Sequence, residues 1–373
     1  MLLILAAAAH AGPAEQAKRI YERIAGEPPT PAVLSQMVTA INNSPGQGGL
    51  VAAATIATNA SGFYNVTLKN MVIPWTNRDQ TVFAPLNDYA ATVIGMVRDN
   101  ADFSTALSAD VLYTVNASGL PAPSAMNNNH YATAEANGVD LMSGLVKTKQ
   151  SQVYGLPTTA TAGLMTTRGA ASAFFINGTN RAMFRFTLMN HLCHDMEQVM
   201  DTTRPTDRVR QDVARSPGGD SRIFLNQCAG CHSGMDPMAQ AFAYYNFDAT
   251  SGQMVYTAGT VQAKYTINAT NFPFGFVTPD DSWSNRWRAG PNASFGWGAG
   301  PGSGNGAASL GQELASSDMF AQCQVTKVFT AVCFRAPIST ADQATVATIK
   351  AQFKSGYNLK QVFQQSAAAC AGS

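Results

Sequence analysis

The sequence predicts a mainly α-helical protein whose helices are interrupted by one irregular segment rich in glycine and aromatic residues. Three observations carry this prediction. Apolar residues recur at helical spacing near the start of the chain, from Ile20 to Ile41, and again from Leu310 onward. Proline, glycine and capping residues stand where those stretches would begin and end. The stretch from Met254 to Gly306 holds Phe272, Phe274, Trp283, Trp287 and Trp297 without a helical period, so strands and long loops both fit it. With 373 residues, 46% of them hydrophobic, the chain can bury a large core, as one extended unit or as two to three compact ones.

Taken in order, the chain opens Met1-Leu2-Leu3-Ile4-Leu5, continues through Ala6 to Ala9 and reaches Ala9-His10-Ala11, an Ala-x-Ala cleavage pattern. Residues 1–11 read as the end of a secretory signal peptide that lacks the usual basic n-region. This apolar run is shorter than the about 20 residues that cross a bilayer, and no later stretch reaches that length, so no transmembrane anchor is expected. Next, Ile20, Tyr21 and Ile24 form a helical stripe closed by Gly26 and Pro28-Pro29. Thr30-Pro31 supplies an N-cap and a first helical residue for a helix through Val33, Leu34, Met37, Val38 and Ile41. Another helix follows Ser61 with Phe63, Val66, Leu68 and Met71 and is expected to stop before Pro74. Asp88 is placed to cap the next, which contains Val93, Ile94 and Val97. From Ala101 to Gln152 the signals weaken, and Asn127-Asn128-Asn129 with Pro121 and Pro123 marks a long loop. Residues 12–155 are thus read as an N-terminal helical region.

In residues 156–252, helix returns at Arg181, with Phe184, Leu188, His191 and Leu192 on one side. Arg204 to Arg215 is polar and mixed in sign, and Ser216-Pro217-Gly218-Gly219 breaks the chain. Asp220 can cap a short helix from Ser221 to Ala229, Ser233-Gly234 is expected to turn, and Asp236-Pro237 to start a second helix through Met238, Phe242 and Tyr245. Residues 253–309 are the irregular segment, and residues 310–373 a C-terminal helical region broken at Pro337-Ile338-Ser339.

Near the end of that short helix lies Cys228-Ala229-Gly230-Cys231-His232. Cys-x-x-Cys-His is the spacing at which two thiols bond the vinyl groups of one haem while the following imidazole reaches the iron. A thioredoxin-like pair would open a helix in a βαβ unit, whereas the residues ahead of this motif read as helix. A zinc site needs a second ligand pair, and no other Cys-x-x-Cys or His-x-x-x-His occurs in the sequence. The motif therefore points to one covalently attached haem c, with Cys228 and Cys231 as thioether carriers and His232 as proximal iron ligand. On this reading a helical c-type haem domain is embedded in a larger helical scaffold. Bacterial haem attachment takes place outside the cytoplasmic membrane, so motif and leader agree on an exported protein, periplasmic, extracellular or at the cell surface.

The sixth iron position decides between electron carriage and catalysis. Its candidates are His191, which falls on an apolar stripe; His194, about a turn further on; and His130, in the Asn-rich loop. Met254 and Met319 are further candidates, whereas Met235 and Met238 follow His232 too closely to cross the haem and read as core. Arg222, Arg286 and Arg288 are candidate partners for haem propionates.

Of six cysteines, the motif leaves Cys193, Cys323, Cys333 and Cys370 for disulfides. Phe320 to Phe334 reads as one helix, which holds Cys323 and Cys333 about 15 Å apart, whereas a disulfide needs Cα atoms closer than about 7 Å. Cys333 or Cys323 with Cys370 is the expected staple.

Several segments together resemble the large exported haem proteins of planctomycetes and many proteobacteria, built from domains of unknown function. They are Ala17 to Gly26 with Pro28 and Thr30, Leu86-Asn87-Asp88-Tyr89, and Leu107 to Tyr113. More specific are Asn129-His130-Tyr131, Gly163 to Thr167, and Cys228 to Pro237 closing on Asn246-Phe247-Asp248; the end is similar too, in Met319 to Cys323 through Ser355-Gly356-Tyr357. The resemblance implies a c-type cytochrome, without the additional N-terminal domains and second haem motif of larger relatives.

Charged residues make up only 13% of the chain, and 24 basic against 23 acidic residues leave it near neutral. That balance argues against nucleic acid or an acidic membrane surface as partner and leaves little repulsion against a homo-oligomer. Three functions compete: an exported monohaem carrier that exchanges electrons with redox protein partners, a haem enzyme of peroxidase type with an open sixth position, and a self-assembling structural haem protein.

Overall fold

The computed structural model describes residues 11–372 apart from 177, 267 and 269, so the leader reading falls, except for Ala11, outside the described residues. The protein is mainly helical, as its sequence predicts. The strands described form two-stranded antiparallel pairs, Leu112–Val115 with Leu145–Thr148, Tyr245–Asp248 with Gln253–Tyr256, and Ser282–Ser284 with Ser303–Asn305. The last two lie in and around the aromatic segment, whose remainder is short 3₁₀ turns and loops.

The chain gathers into two compact units rather than into consecutive regions. One unit combines the described residues up to Leu68 with those from Val325 on. Helix Pro13–Ala25 buries Ala17, Ile20, Tyr21 and Ile24, and Gly26, at φ 74°, ends it by returning its amide to the Glu22 carbonyl. Helix Pro31–Asn43 starts as read, with the Val33 amide donating to Thr30 Oγ1 at 3.3 Å. The C-terminal helices Thr340–Phe353 and Leu359–Ala369 complete this unit, with Phe363 edge-on to Phe63. Cys333 and Cys370 are joined, Cα atoms 5.7 Å apart, and Arg23 donates to the Cys370 carbonyl. The expected C-terminal staple is therefore formed by Cys333.

The other unit is Lys69–Gln324. Its centre is helix Asp88–Arg98, buried along most of its length. Asn87, not Asp88, caps it: Asn87 keeps the extended backbone of a cap and its side chain accepts the Ala90 amide. Asp88 turns inward and accepts the amides of Arg168 and Gly169 and the Tyr154 hydroxyl, tying in helix Arg168–Phe174. Helical structure after Ser61 does not stop before Pro74 but tightens into a 3₁₀ turn, Ile73–Thr76, which contains Pro74. The signal-poor stretch from Ala101 to Gln152 holds the first strand pair and helix Asn129–Ala136. Helix Arg181–Leu192 ends at Cys193, in the left-handed region at φ 57°, which bonds Cys323 with Cα atoms 5.3 Å apart. Cys323 thus pairs upstream and not with Cys370.

Candidate haem-attachment site

Asp220 caps the motif's helix as read, accepting the Arg222 amide at 2.9 Å. The helix then continues where the sequence suggested a turn. Ser221–Ile223 passes through a π-helical turn, Phe224–Cys228, into Ala229–Ala239, with Pro237 inside the last turn. Gly234 does not bend the chain; it lets the helix lie against Trp287, whose indole a Cβ at this position would overlap. Gly234→Ala is accordingly expected to destabilise the fold by at least about 1–3 kcal/mol through overpacking, read as a lower melting temperature.

The motif therefore lies within a helix and not at a free helix start. The Ala229 amide, for instance, is taken by the Phe224 carbonyl. Cys228 and Cys231 are half-buried and unbonded, whereas Cys193, Cys323, Cys333 and Cys370 are all in disulfides. The Cys231 thiol lies 3.6 Å from the Met196 carbonyl. Burial pushes its pKa up and the negative charge of Glu197 adds to this, the reverse of the lowered pKa that makes an exchange-active or catalytic thiol. Cys228 packs against Val209, Val213, Phe224 and Ala229. Beside the motif, Met200 is 42% and Leu225 54% exposed, and Met200 reaches over Gly230.

His232 keeps 21% of its side chain exposed and points Nδ1 at Asp236 Oδ1, 3.1 Å away. An ionised carboxylate only accepts, so Nδ1 carries a proton, and in the neutral ring Nε2 is then the nitrogen with the lone pair. Asp236 is held in turn. Its Oδ1 accepts Arg181 Nε at 2.7 Å, and its Oδ2 accepts Arg181 Nη2 at 2.8 Å and the Arg210 amide at 3.2 Å. Burial opposes its ionisation, but the charges of Arg181 and Arg210 and the bonds from Arg181 and His232 outweigh it and hold the carboxyl well below its usual range. Arg181 also forks onto Asp212, at 2.5 and 2.8 Å.

Among the described residues no three His, Cys, Asp or Glu side chains converge as a metal-binding group. Cys228, Cys231 and His232 do not close around one ion; they suit a porphyrin, which takes the thiols at its edge, one imidazole nitrogen at iron, and supplies four donors itself.

The other candidates lie elsewhere or are engaged. His130 is buried in helix Asn129–Ala136, not in an exposed loop; Nε2 accepts the Val115 amide at 2.9 Å and Nδ1 donates to the Pro121 carbonyl at 2.7 Å. Both ring nitrogens of this candidate ligand thus bond within the fold. His191 is buried among Trp75, Tyr89 and Phe320, with Nε2 2.7 Å from the Tyr89 hydroxyl. His194 donates Nδ1 to the Leu192 carbonyl at 2.8 Å, lies against Phe295 and sits two residues before Met196; in the neutral ring Nε2 is then its acceptor nitrogen. Met235 and Met238 are core, as read. Met254 is in a strand and Met319 on helix Asp318–Cys333. Arg222, Arg286 and Arg288 each have a carboxylate partner already, Asp220, Asp207 and Glu313.

The residues that sequence reading missed are Asp236, Arg181, Arg210 and Asp212. His232 and Asp236 are four residues apart and meet on one face of a continuous helix; the turn expected at Ser233-Gly234 conceals that spacing. Comparison of the chain with known protein families, characterised proteins and solved structures finds no match.

Proposed function

We propose that this chain is an exported c-type cytochrome that carries one covalently attached haem and exchanges electrons with redox protein partners, in keeping with the haem proteins its sequence resembles. The carrying observation is the state of the motif: two unbonded thiols one helical turn apart, followed by an imidazole whose Nδ1 is fixed on a carboxylate and whose Nε2 is left for iron. Haem bound there supplies a one-electron couple; Cys228 and Cys231 would anchor its edge, His232 would hold the iron, and Met200 and Leu225 offer it apolar surface. The two disulfides accord with an oxidising compartment. Among the described residues no helix is long and apolar enough to cross a membrane.

The test is production alongside a haem-attachment system. Wild-type protein is expected to keep its haem through denaturing electrophoresis, and Cys228→Ser with Cys231→Ser to lose it. A wild-type chain that takes up no haem sinks the reading. His130→Ala is expected to leave the spin state of the haem unchanged, because both its nitrogens serve the fold; conversion to high spin would return His130 to the iron.

A second reading, a haem enzyme, is favoured by the carboxylate behind His232, since such a bond makes the ligand more basic and supports higher iron oxidation states. Spectral change on adding CO or peroxide separates it from a closed carrier.

A further inference from the structure

The ion cluster behind His232 is more elaborate than holding one ring requires. Two carboxylates, Asp236 and Asp212, face two guanidinium groups, Arg181 and Arg210, so the four charges sum to zero. Arg210 is the unusual member. Its side chain is 1% exposed and its Nη2 lies 3.7 Å from Asp236 Oδ1, bonded instead to Thr179. Its head lies over the Tyr265 ring at 4.7 Å, and its Nε and Nη1 have no hydrogen-bond partner among the described residues. Burying an arginine with two unsatisfied nitrogens is unfavourable, and an apolar side chain of that length would pack there without the penalty. What the apolar side chain would lack is the positive charge beside Asp236.

Resting on the haem reading above, we propose that Asp236 and Arg210 are positioning residues of opposite effect that set the reduction potential of the haem iron through His232. The Nδ1–H bond to Asp236 feeds electron density into the axial imidazole and favours ferric iron. Arg181, by its fork, and Arg210, by its charge, draw on the same carboxylate and limit how much reaches the ring. Asp212 occupies the far side of the Arg181 fork and keeps that withdrawal partial.

Potentiometric titration of the haem-loaded protein, followed by visible absorption, tests this. Asp236→Asn is expected to shift the ratio of reduced to oxidised iron at a fixed potential on the order of tenfold toward reduced, a rise of about 59 mV for one electron. Arg210→Met is expected to shift it the other way, by several-fold. Opposite signs are the signature, because loosening of the haem site in both variants would move both potentials together. Movement in one direction, or an unchanged Arg210→Met protein, overturns the proposal. If Asp236→Asn fails to accumulate, Arg210→Met decides alone. If neither accumulates, the iron–histidine stretch of wild-type ferrous protein after CO photolysis decides, expected high for a carboxylate-bonded imidazole and low if the proposal is wrong. Wild-type protein without haem would instead overturn the cytochrome reading itself.

Discussion

Replacing Asp236 with alanine is expected to lower the unfolding free energy by about 3–5 kcal/mol, a large part of the about 5–15 kcal/mol that holds a typical domain. The carboxylate is fully buried and takes bonds from His232, from two nitrogens of Arg181 and from the Arg210 amide. Truncation removes all of these while two guanidinium groups stay beside the gap. The penalty comes from the cations left behind and not from the worth of the pair. Asp236→Ala with Arg181→Met should therefore lose less than the sum of the two single changes. Denaturant titration reads all three proteins. The acid limb carries a second signature. Asp236 is held well below its ordinary range and Asp212 below it, the latter by the hydrogen bond and charge of Arg181 against the opposing effect of burial. Depressed carboxyls contribute stability that is complete above their unfolded pKa of about 4 and is lost as pH falls through the folded values. Wild-type stability should thus fall steeply below about pH 4, and Asp236→Ala should fall less steeply there. Equal slopes would place the cluster's energy elsewhere.

That cluster also marks the limit of what the sequence could be made to yield. Local features were legible: the Thr30 cap, the Gly26 stop, the Asp220 cap, helix Arg181–Leu192 and the motif itself depend on neighbours a few residues away. The pair His232–Asp236 is equally local, yet it was hidden because Gly234 and Pro237 carry breaker propensities that tertiary packing overrides. Gly234 answers to Trp287, over 50 residues later in the chain, and Pro237 stays inside the helix at the loss of one intrahelical bond. Asn87 and Asp88 illustrate the same point, since either can cap and only the distant amides of Arg168 and Gly169 decide which one turns inward. His130 reads as a loop residue because Asn127-Asn128-Asn129 suggests a turn, while the Val115 amide that donates to its ring lies on a strand and the Pro121 carbonyl that accepts from it lies on the far side of that loop. Pairings that join the start of the chain to its end have no periodicity to read, so the division into two units could not be drawn from consecutive regions.

The bridge Cys193–Cys323 is expected to be the more stabilising of the two disulfides. It closes a separation of 130 residues against 37 for Cys333–Cys370, which in the chain-entropy account corresponds to about 5 and about 4 kcal/mol respectively. Cys193→Ala with Cys323→Ala should therefore lower the melting temperature further than Cys333→Ala with Cys370→Ala. Gln324 donates to the His191 carbonyl at 3.2 Å beside the first bridge, and Gln324→Ala should add its own smaller loss to that of the bridge. The location of Cys193 also ties this bridge to the haem motif: it terminates helix Arg181–Leu192, three residues before Met196, whose carbonyl meets the Cys231 thiol. Loss of the bridge should consequently reduce covalent haem uptake along with stability, whereas loss of Cys333–Cys370 should reduce stability alone. Equal haem uptake in both variants would separate the first disulfide from the motif and leave it a staple of the fold only.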